Sequence, residues 1–145
     1  MMSSFTIRQA DPHDFSELTE IWFNASVKAH DFISEIYWKN NKVKMHDTYL
    51  PMSEVYLVED MSNIYGFIAL VENKIAAIFV SPELQGKGIG KLLINHAKGI
   101  RNNLELSVYQ QNINSVRFYE SVGFKVVAET LDEETRSKEF LMRWE

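Results

Sequence analysis

The chain has no cysteine among its 145 residues. That excludes disulfides, thiolate metal sites and a cysteine nucleophile, and it fits a cytoplasmic protein. No apolar run approaches the roughly 20 residues that a membrane span needs. Met1-Met2-Ser3-Ser4 lacks a basic stretch followed by an apolar one, so neither a secretory leader nor a membrane partner is expected. Positive charge is not in excess: the net charge is −5. No nucleic acid is expected as a partner, because that would call for a basic face. The acidic balance mildly favours a cationic substrate through long-range attraction. No spacing of His, Asp and Glu suggests a metal site. Repeats, low-complexity tracts and interior linkers are all missing. What remains is a chain of 46% apolar and 24% charged residues, ordinary for a globular protein. One domain over residues 1–145 is expected, with a sizeable core.

Glycine is also scarce, at six residues, yet Gly86, Gly88 and Gly90 fall within one loop. An apolar run, Ile75–Val80, leads into this loop, and an apolar-periodic segment follows it. A strand, a glycine-rich turn and a helix N-terminus make a site for phosphate, since unpaired N–H groups point outward and the helix dipole favours an anion. Two nucleotide motifs do not fit. A Walker loop needs Gly-Lys followed by Ser or Thr, but Gly86-Lys87 is followed by Gly88. A dinucleotide fingerprint needs a third glycine where Lys91 or Leu93 stands.

Periodicity orders the rest. Phe5–Arg8 reads as a strand. Asp11 and Pro12 start a helix whose buried stripe is Phe15, Leu18, Trp22, Ala25 and Ala29. Ser34 can cap a second helix through about Tyr49. Its apolar residues lie on two faces, Ile36, Val43 and Leu50 against Trp38, Met45 and Tyr49, which implies contact on two sides. Val55–Val58, Ile64–Val71 and Lys74–Val80 form an antiparallel meander on short turns, Asp60–Asn63 and Glu72-Asn73. A helix over about Gly88–Ile100 crosses to the strand Leu104–Val108. Asn112 or Asn114 caps a further helix that ends at Val122 with Gly123 as its C-cap. Phe124–Val127 and Glu139–Trp144 are the last strands, around a polar turn at Asp132–Ser137. The order is β-α-α-β-β-β-α-β-α-β-β. The fold class is therefore α+β, a mixed, mostly antiparallel sheet flanked by helices.

Gln85-x-x-Gly88-x-Gly90, followed by Asn112-x6-Tyr119-x3-Gly123-Phe124, resembles the GNAT superfamily of N-acetyltransferases. The likeness covers the whole chain in element order and residues 75–127 in motif detail. The region around His30-Asp31-Phe32 is also similar to a group of small bacterial acetyltransferases. The resemblance implies a GNAT-like acyl-CoA N-acyltransferase fold and acetyl-CoA as cosubstrate, with no metal. It implies that the backbone of Gln85, Gly86, Lys87, Gly88, Ile89, Gly90 and Lys91 holds the pyrophosphate. It implies that Ile78, Phe79 and Val80 pair with the pantetheine arm and present an N–H to the thioester carbonyl, and that Asn112 contacts coenzyme A. Tyr119 becomes the acid that protonates the departing thiolate. A neutral tyrosine, with a pKa of about 10, has a proton to give.

Many family members carry a carboxylate on the fourth strand, where this chain has Ala76 and Ala77. The base must then come from elsewhere. His30, Asp31, Glu35, His46 and Glu72 are candidates, with His30 first because histidine titrates near neutral pH. A water chain is the alternative. With no thiol to carry the acetyl group, direct attack by the acceptor in a ternary complex is the simpler route. The expected acceptor is a primary amine, on a small molecule or on a peptide or protein, and the expected assembly is a monomer or homodimer. Two other readings share these motifs: a non-catalytic CoA-binding or regulatory module, and an acyltransferase for a longer acyl-CoA.

Overall fold

A computed structural model describes residues 5–61 and 63–145. Met1–Ser4 and Ser62, the latter within the expected Asp60–Asn63 turn, lie outside the described residues. The elements in order are β1 (Thr6–Gln9), α1 (Phe15–Ala29), α2 (Glu35–Asn40), α3 (Lys42–Lys44), β2 (Glu54–Glu59), β3 (Ile64–Val71), β4 (Lys74–Val80), α4 (Ile89–Ile100), β5 (Leu104–Tyr109), α5 (Ile113–Ser121), β6 (Lys125–Asp132) and β7 (Ser137–Trp144). The strands form one seven-stranded sheet in the order β1-β2-β3-β4-β5-β7-β6. Every neighbouring pair is antiparallel except β4 and β5. The mixed, mostly antiparallel sheet read from the sequence is therefore the observed one. No helix among the described residues is long and apolar enough to cross a membrane.

The chain enters α1 through a short 3-10 turn at Pro12–Asp14. Asp11 accepts from the His13 amide at 2.8 Å, and the Asp14 carboxylate accepts from the Asp11 amide at 2.9 Å. This reciprocal cap satisfies donors that the helix start leaves free. Arg8 donates to Asp14 and Glu59, both within 2.9 Å, and so ties β1 to this turn and to β2.

Each face of the sheet has its own core. α4 and α5 cover one face, where Leu93, Ile94, Ala97 and Leu104 are fully buried with Val58, Ile68 and Met142. α1 and α2 cover the other, where Leu18, Trp22 and Trp38 pack on Leu57, Phe67 and Ala69. The alternation along β3 serves both cores, which is why this strand reads as one apolar run. Burying one such side chain stabilises the fold by about 1.5–3 kcal/mol.

The segment expected to be one helix from Ser34 to Tyr49 is not continuous. Asn41 interrupts it, and Met45–Tyr49 closes as a π turn. A π turn adds a residue to the helical repeat and so shifts the phase of the faces. Trp38, Met45 and Leu50 are consequently buried, while Ile36, Val43 and Tyr49 are exposed. The two apolar faces of the sequence pattern are thus one buried set and one solvent-facing set, divided differently from the pattern. At the other end of the chain, the last two strands extend further into their turn than the sequence pattern shows.

Gly66 on β3 is a point of close approach. A Cβ there would lie 2.8 Å from the Phe79 carbonyl oxygen on β4 and 3.3 Å from Ile89 on α4. Gly66→Ala is expected to lower the unfolding free energy by about 1–3 kcal/mol, read by urea denaturation. An unchanged midpoint would show that β4 yields to the added methyl group.

Candidate active site

β4 and β5 pair at a single position, Lys74 with Glu105. Two constraints drive them apart beyond it. On β4, Ile75 pairs with Leu70 and Ala77 pairs with Ala69, so Ala76 has no partner on β3. Such a bulge bends its strand and increases the twist. On the other side, β5 is held in register by β7 from Leu104 to Tyr109. From Ile75 onward the β4 edge that faces β5 therefore lacks a strand partner. A cavity of about 1440 Å³ occupies the opening.

The glycine loop forms one end of this cavity. Gly86 and Gly88 have φ of +83° and +86°, values that L side chains rarely adopt, and a Cβ at either would meet nothing within 4 Å. Gly88 is the N-cap of α4. Leu92 donates to the Gly88 carbonyl at 3.0 Å, so the amides of Ile89, Gly90 and Lys91 precede the helical ladder. Gln85 closes the loop by donating from Nε2 to the Val80 carbonyl at 3.2 Å. Gly90 has a different reason to be glycine: a Cβ there would lie 3.2 Å from the Phe118 ring. Ile78, Phe79, Val80, Gln85, Gly86, Gly88, Ile89, Gly90 and Lys91 all line the cavity, whereas Lys87 is exposed outside the lining. An open cradle of backbone donors at a helix N-terminus, continued by an unpaired strand edge, fits a pyrophosphate with an amide-containing arm.

α5 begins at Asn112, whose Oδ1 accepts from the Ser115 amide at 3.2 Å. This settles the cap between Asn112 and Asn114. The helix brings Ser115, Phe118, Tyr119 and Val122 to the cavity. Tyr119 is 9% exposed, and burial pushes its phenol well above the ordinary tyrosine range. Its hydroxyl makes no hydrogen bond among the described residues. The group therefore keeps its proton at neutral pH.

His30 ends α1, with its backbone amide donating to the Ser26 carbonyl at 2.9 Å. The imidazole stacks on Trp38 at 5.1 Å and meets Tyr109 and Phe32 edge-on. Asn112 donates from Nδ2 to His30 Nε2 at 3.1 Å, because its oxygen is already used by Ser115. The ring proton is accordingly on Nδ1. Burial pushes the His30 pKa down to about 4. The first-choice base is thus neutral at pH 7, with Nε2 already accepting a hydrogen bond and Nδ1 buried without a partner. Its place is a bridge: it joins the end of α1 to the cap of α5 beside the cavity. Asp31, Glu35, His46 and Glu72 do not line the cavity. His46 instead approaches Ser16 at 3.3 Å and Asp47 at 2.7 Å.

Among the lining residues that sequence reasoning did not single out are Ser107 and Tyr109 on β5, and Glu139 on β7. Strand alternation was the available signal. Leu104, Leu106 and Val108 enter the α4–α5 core, so Ser107 and Tyr109 must face the α1 side. Phe140 and Met142 likewise place Glu139 there, opposite Tyr109 in register. Burial and nearby Asp132 raise the Glu139 carboxyl above the usual range, with Lys74 opposing.

A seven-stranded sheet opened between its fourth and fifth strands over a glycine cradle is the scaffold of an acyl-CoA-type acyltransferase. The same architecture occurs in apo YjaB from Escherichia coli, with a TM-score of 0.87 and 26% identity over 98% of each chain. The PaiA N-acetyltransferase of Thermoplasma acidophilum, solved in complex with coenzyme A, superposes with a TM-score of 0.82 at 23% identity over 99% of each chain. The peptidyl-lysine N-acetyltransferase YiaC of Escherichia coli is 30% identical over 139 residues, 95% of each chain. The acetyltransferase (GNAT) domain family matches residues 17–145. The chain belongs to this GNAT family and is an N-acetyltransferase.

Because folding holds His30 neutral, it makes stability depend on pH. The unfolded imidazole takes up a proton near pH 6.5, the folded one only near 4. The unfolded state binds more protons between these values, so stability is full above about 6.5 and declines as the pH falls toward 4. His30→Gln is expected to reduce the loss of unfolding free energy between pH 7 and pH 5 by about 2 kcal/mol relative to wild type. Equal pH slopes for the two proteins would contradict the buried neutral imidazole.

Proposed function

We propose that this chain transfers the acetyl group of acetyl-CoA to the ε-amine of a peptidyl lysine, by direct attack in a ternary complex. The observation that carries the reading is the cleft between β4 and β5, which runs from the glycine cradle of Gln85–Lys91 to Tyr119. The relatives named for peptidyl-lysine acetylation support the acceptor.

Acetyl-CoA supplies an acyl thioester that is activated toward amines. The residues of this chain do the rest. The amides at the α4 N-terminus hold the pyrophosphate, and Asn112 closes over the cofactor from the α5 side. The free main chain of Ile78–Val80 pairs with the arm and offers an N–H to the thioester oxygen, where negative charge grows as the amine attacks. Tyr119 gives its proton to the departing sulfur. The aromatic sleeve of Trp38, Tyr109 and His30 receives the acceptor, and the partial desolvation there favours the neutral, nucleophilic form of an amine. His30 acts through Asn112, as a positioning residue. The amine proton leaves through the water of the open cavity, with no dedicated base on the fourth strand.

Tyr119→Phe is expected to lower kcat by about 10²–10⁴-fold, with the KM for acetyl-CoA within a few-fold of wild type. Thiol release with a lysine peptide measures both. Full activity in Tyr119→Phe would remove tyrosine from the mechanism. Coenzyme A binding by the wild type without turnover of any amine would leave a CoA-binding module.

A further inference from the structure

Glu139 is a half-buried carboxylate without a counter-ion. Four other carboxylates of comparable exposure have one: Asp14 and Glu59 bind Arg8, Glu54 binds Arg101, and Glu105 binds Arg143. Neighbouring acids are also engaged. Asp132 accepts from the Tyr109 hydroxyl, and Glu134 accepts from the Tyr37 hydroxyl at 2.8 Å. The Glu139 side chain has no hydrogen bond or ion pair among the described residues. A desolvated carboxylate left unpaired is unfavourable, and a ligand cation relieves it.

Its position indicates which cation. Glu139 lies opposite Tyr109 across the β5–β7 ladder, on the face of the sheet that α1 and α2 border. Ser107, Tyr109 and His30 line the same cavity. Trp38 stacks on His30, and Phe32 meets Tyr109 at 5.7 Å. An extended apolar stem with a terminal ammonium matches this combination: aromatic walls for methylene groups and a carboxylate for the charge. The charged groups around Glu139 are Asp132, which repels a second negative charge, and Lys74, which is not within ion-pair distance.

We propose that Glu139 is the acceptor-recognition carboxylate of this enzyme, the group that receives the ammonium of a cationic primary amine before attack. It rests on the N-acetyltransferase reading above and adds the determinant of acceptor charge. Glu139 binds the ammonium form, which then passes one proton to the water of the open cavity and attacks the thioester as the neutral amine.

The test is steady-state kinetics with a lysine peptide for wild type, Glu139→Gln and the turn control Glu133→Gln. In Glu139→Gln the acceptor KM is expected to rise about tenfold, the size of one charge-assisted hydrogen bond at a half-exposed site. The expected kcat stays within about twofold, and the KM for acetyl-CoA and the control protein do not change. An acceptor KM that moves less than twofold overturns the proposal, as does a loss confined to kcat. A parallel arm measures binding of the same peptide to CoA-loaded protein by calorimetry, where Glu139→Gln is again expected to bind about tenfold more weakly. If the wild type acetylates no amine, the functional reading fails, and this arm still decides the role of Glu139: equal affinities overturn it. Thermal unfolding completes the set. Glu139→Gln is expected to match or exceed the wild-type Tm, since it removes an unpaired charge, and a variant that fails to fold would show a structural role instead.

Discussion

The site depends on a sheet that is prevented from closing. β4 and β5 meet at Lys74 and Glu105 and nowhere further along. Parallel strands with free edges would ordinarily zip, because each unmade backbone hydrogen bond in a buried place is unfavourable. Here the extra residue at Ala76 breaks the regular run of β4, while β7 holds β5 through its whole length. The open edge of β4 is thus created by pairing elsewhere, and it leaves main-chain donors and acceptors available to a ligand.

The two cores make that opening rigid. α4 packs Leu93, Ile94 and Ala97 against one face of the sheet, which fixes the helix N-terminus at the mouth of the cleft. α1 packs Leu18, Ile21 and Trp22 against the other, which carries His30 to the opposite lip. Asn112 then links the lips by capping α5 and donating to His30. The Asn112 side chain thereby couples the α5 side of the cleft to the α1 side, giving His30 Nε2 a partner while the buried Nδ1 stays without one.

Much of this was legible in the residues. Alternation and helical spacing give the element order, and Gly86 and Gly88 mark a loop that takes positive φ, as Gly123 does at the end of α5. Asn112, Tyr119 and Gly123-Phe124 carry the family resemblance at fixed spacing. The second helix was less legible, because a π turn at Met45–Tyr49 changes the phase of the pattern without any glycine or proline to announce it. His30 is the first candidate base from the sequence, and the structure sets it in the lining of the cleft. Its ordinary pKa suggests a base, whereas its environment of Trp38, Phe32 and Tyr109 is assembled from three separate elements and removes that basicity. Glu139 was hidden for a similar reason: nothing in the motifs points to it, and only the β5–β7 register brings it beside Tyr109.

The central claim is that the unpaired edge of β4 and the glycine cradle receive coenzyme A as one continuous surface. Amide hydrogen exchange with and without coenzyme A tests it directly, since amides that gain a hydrogen-bond partner exchange more slowly. Slower exchange is predicted for Ile78–Val80 and for Gly86–Lys91 together, with β1 and β6 unchanged. Coenzyme A binding that leaves Ile78–Val80 unprotected, or that protects a surface away from the β4–β5 cleft, would contradict the account.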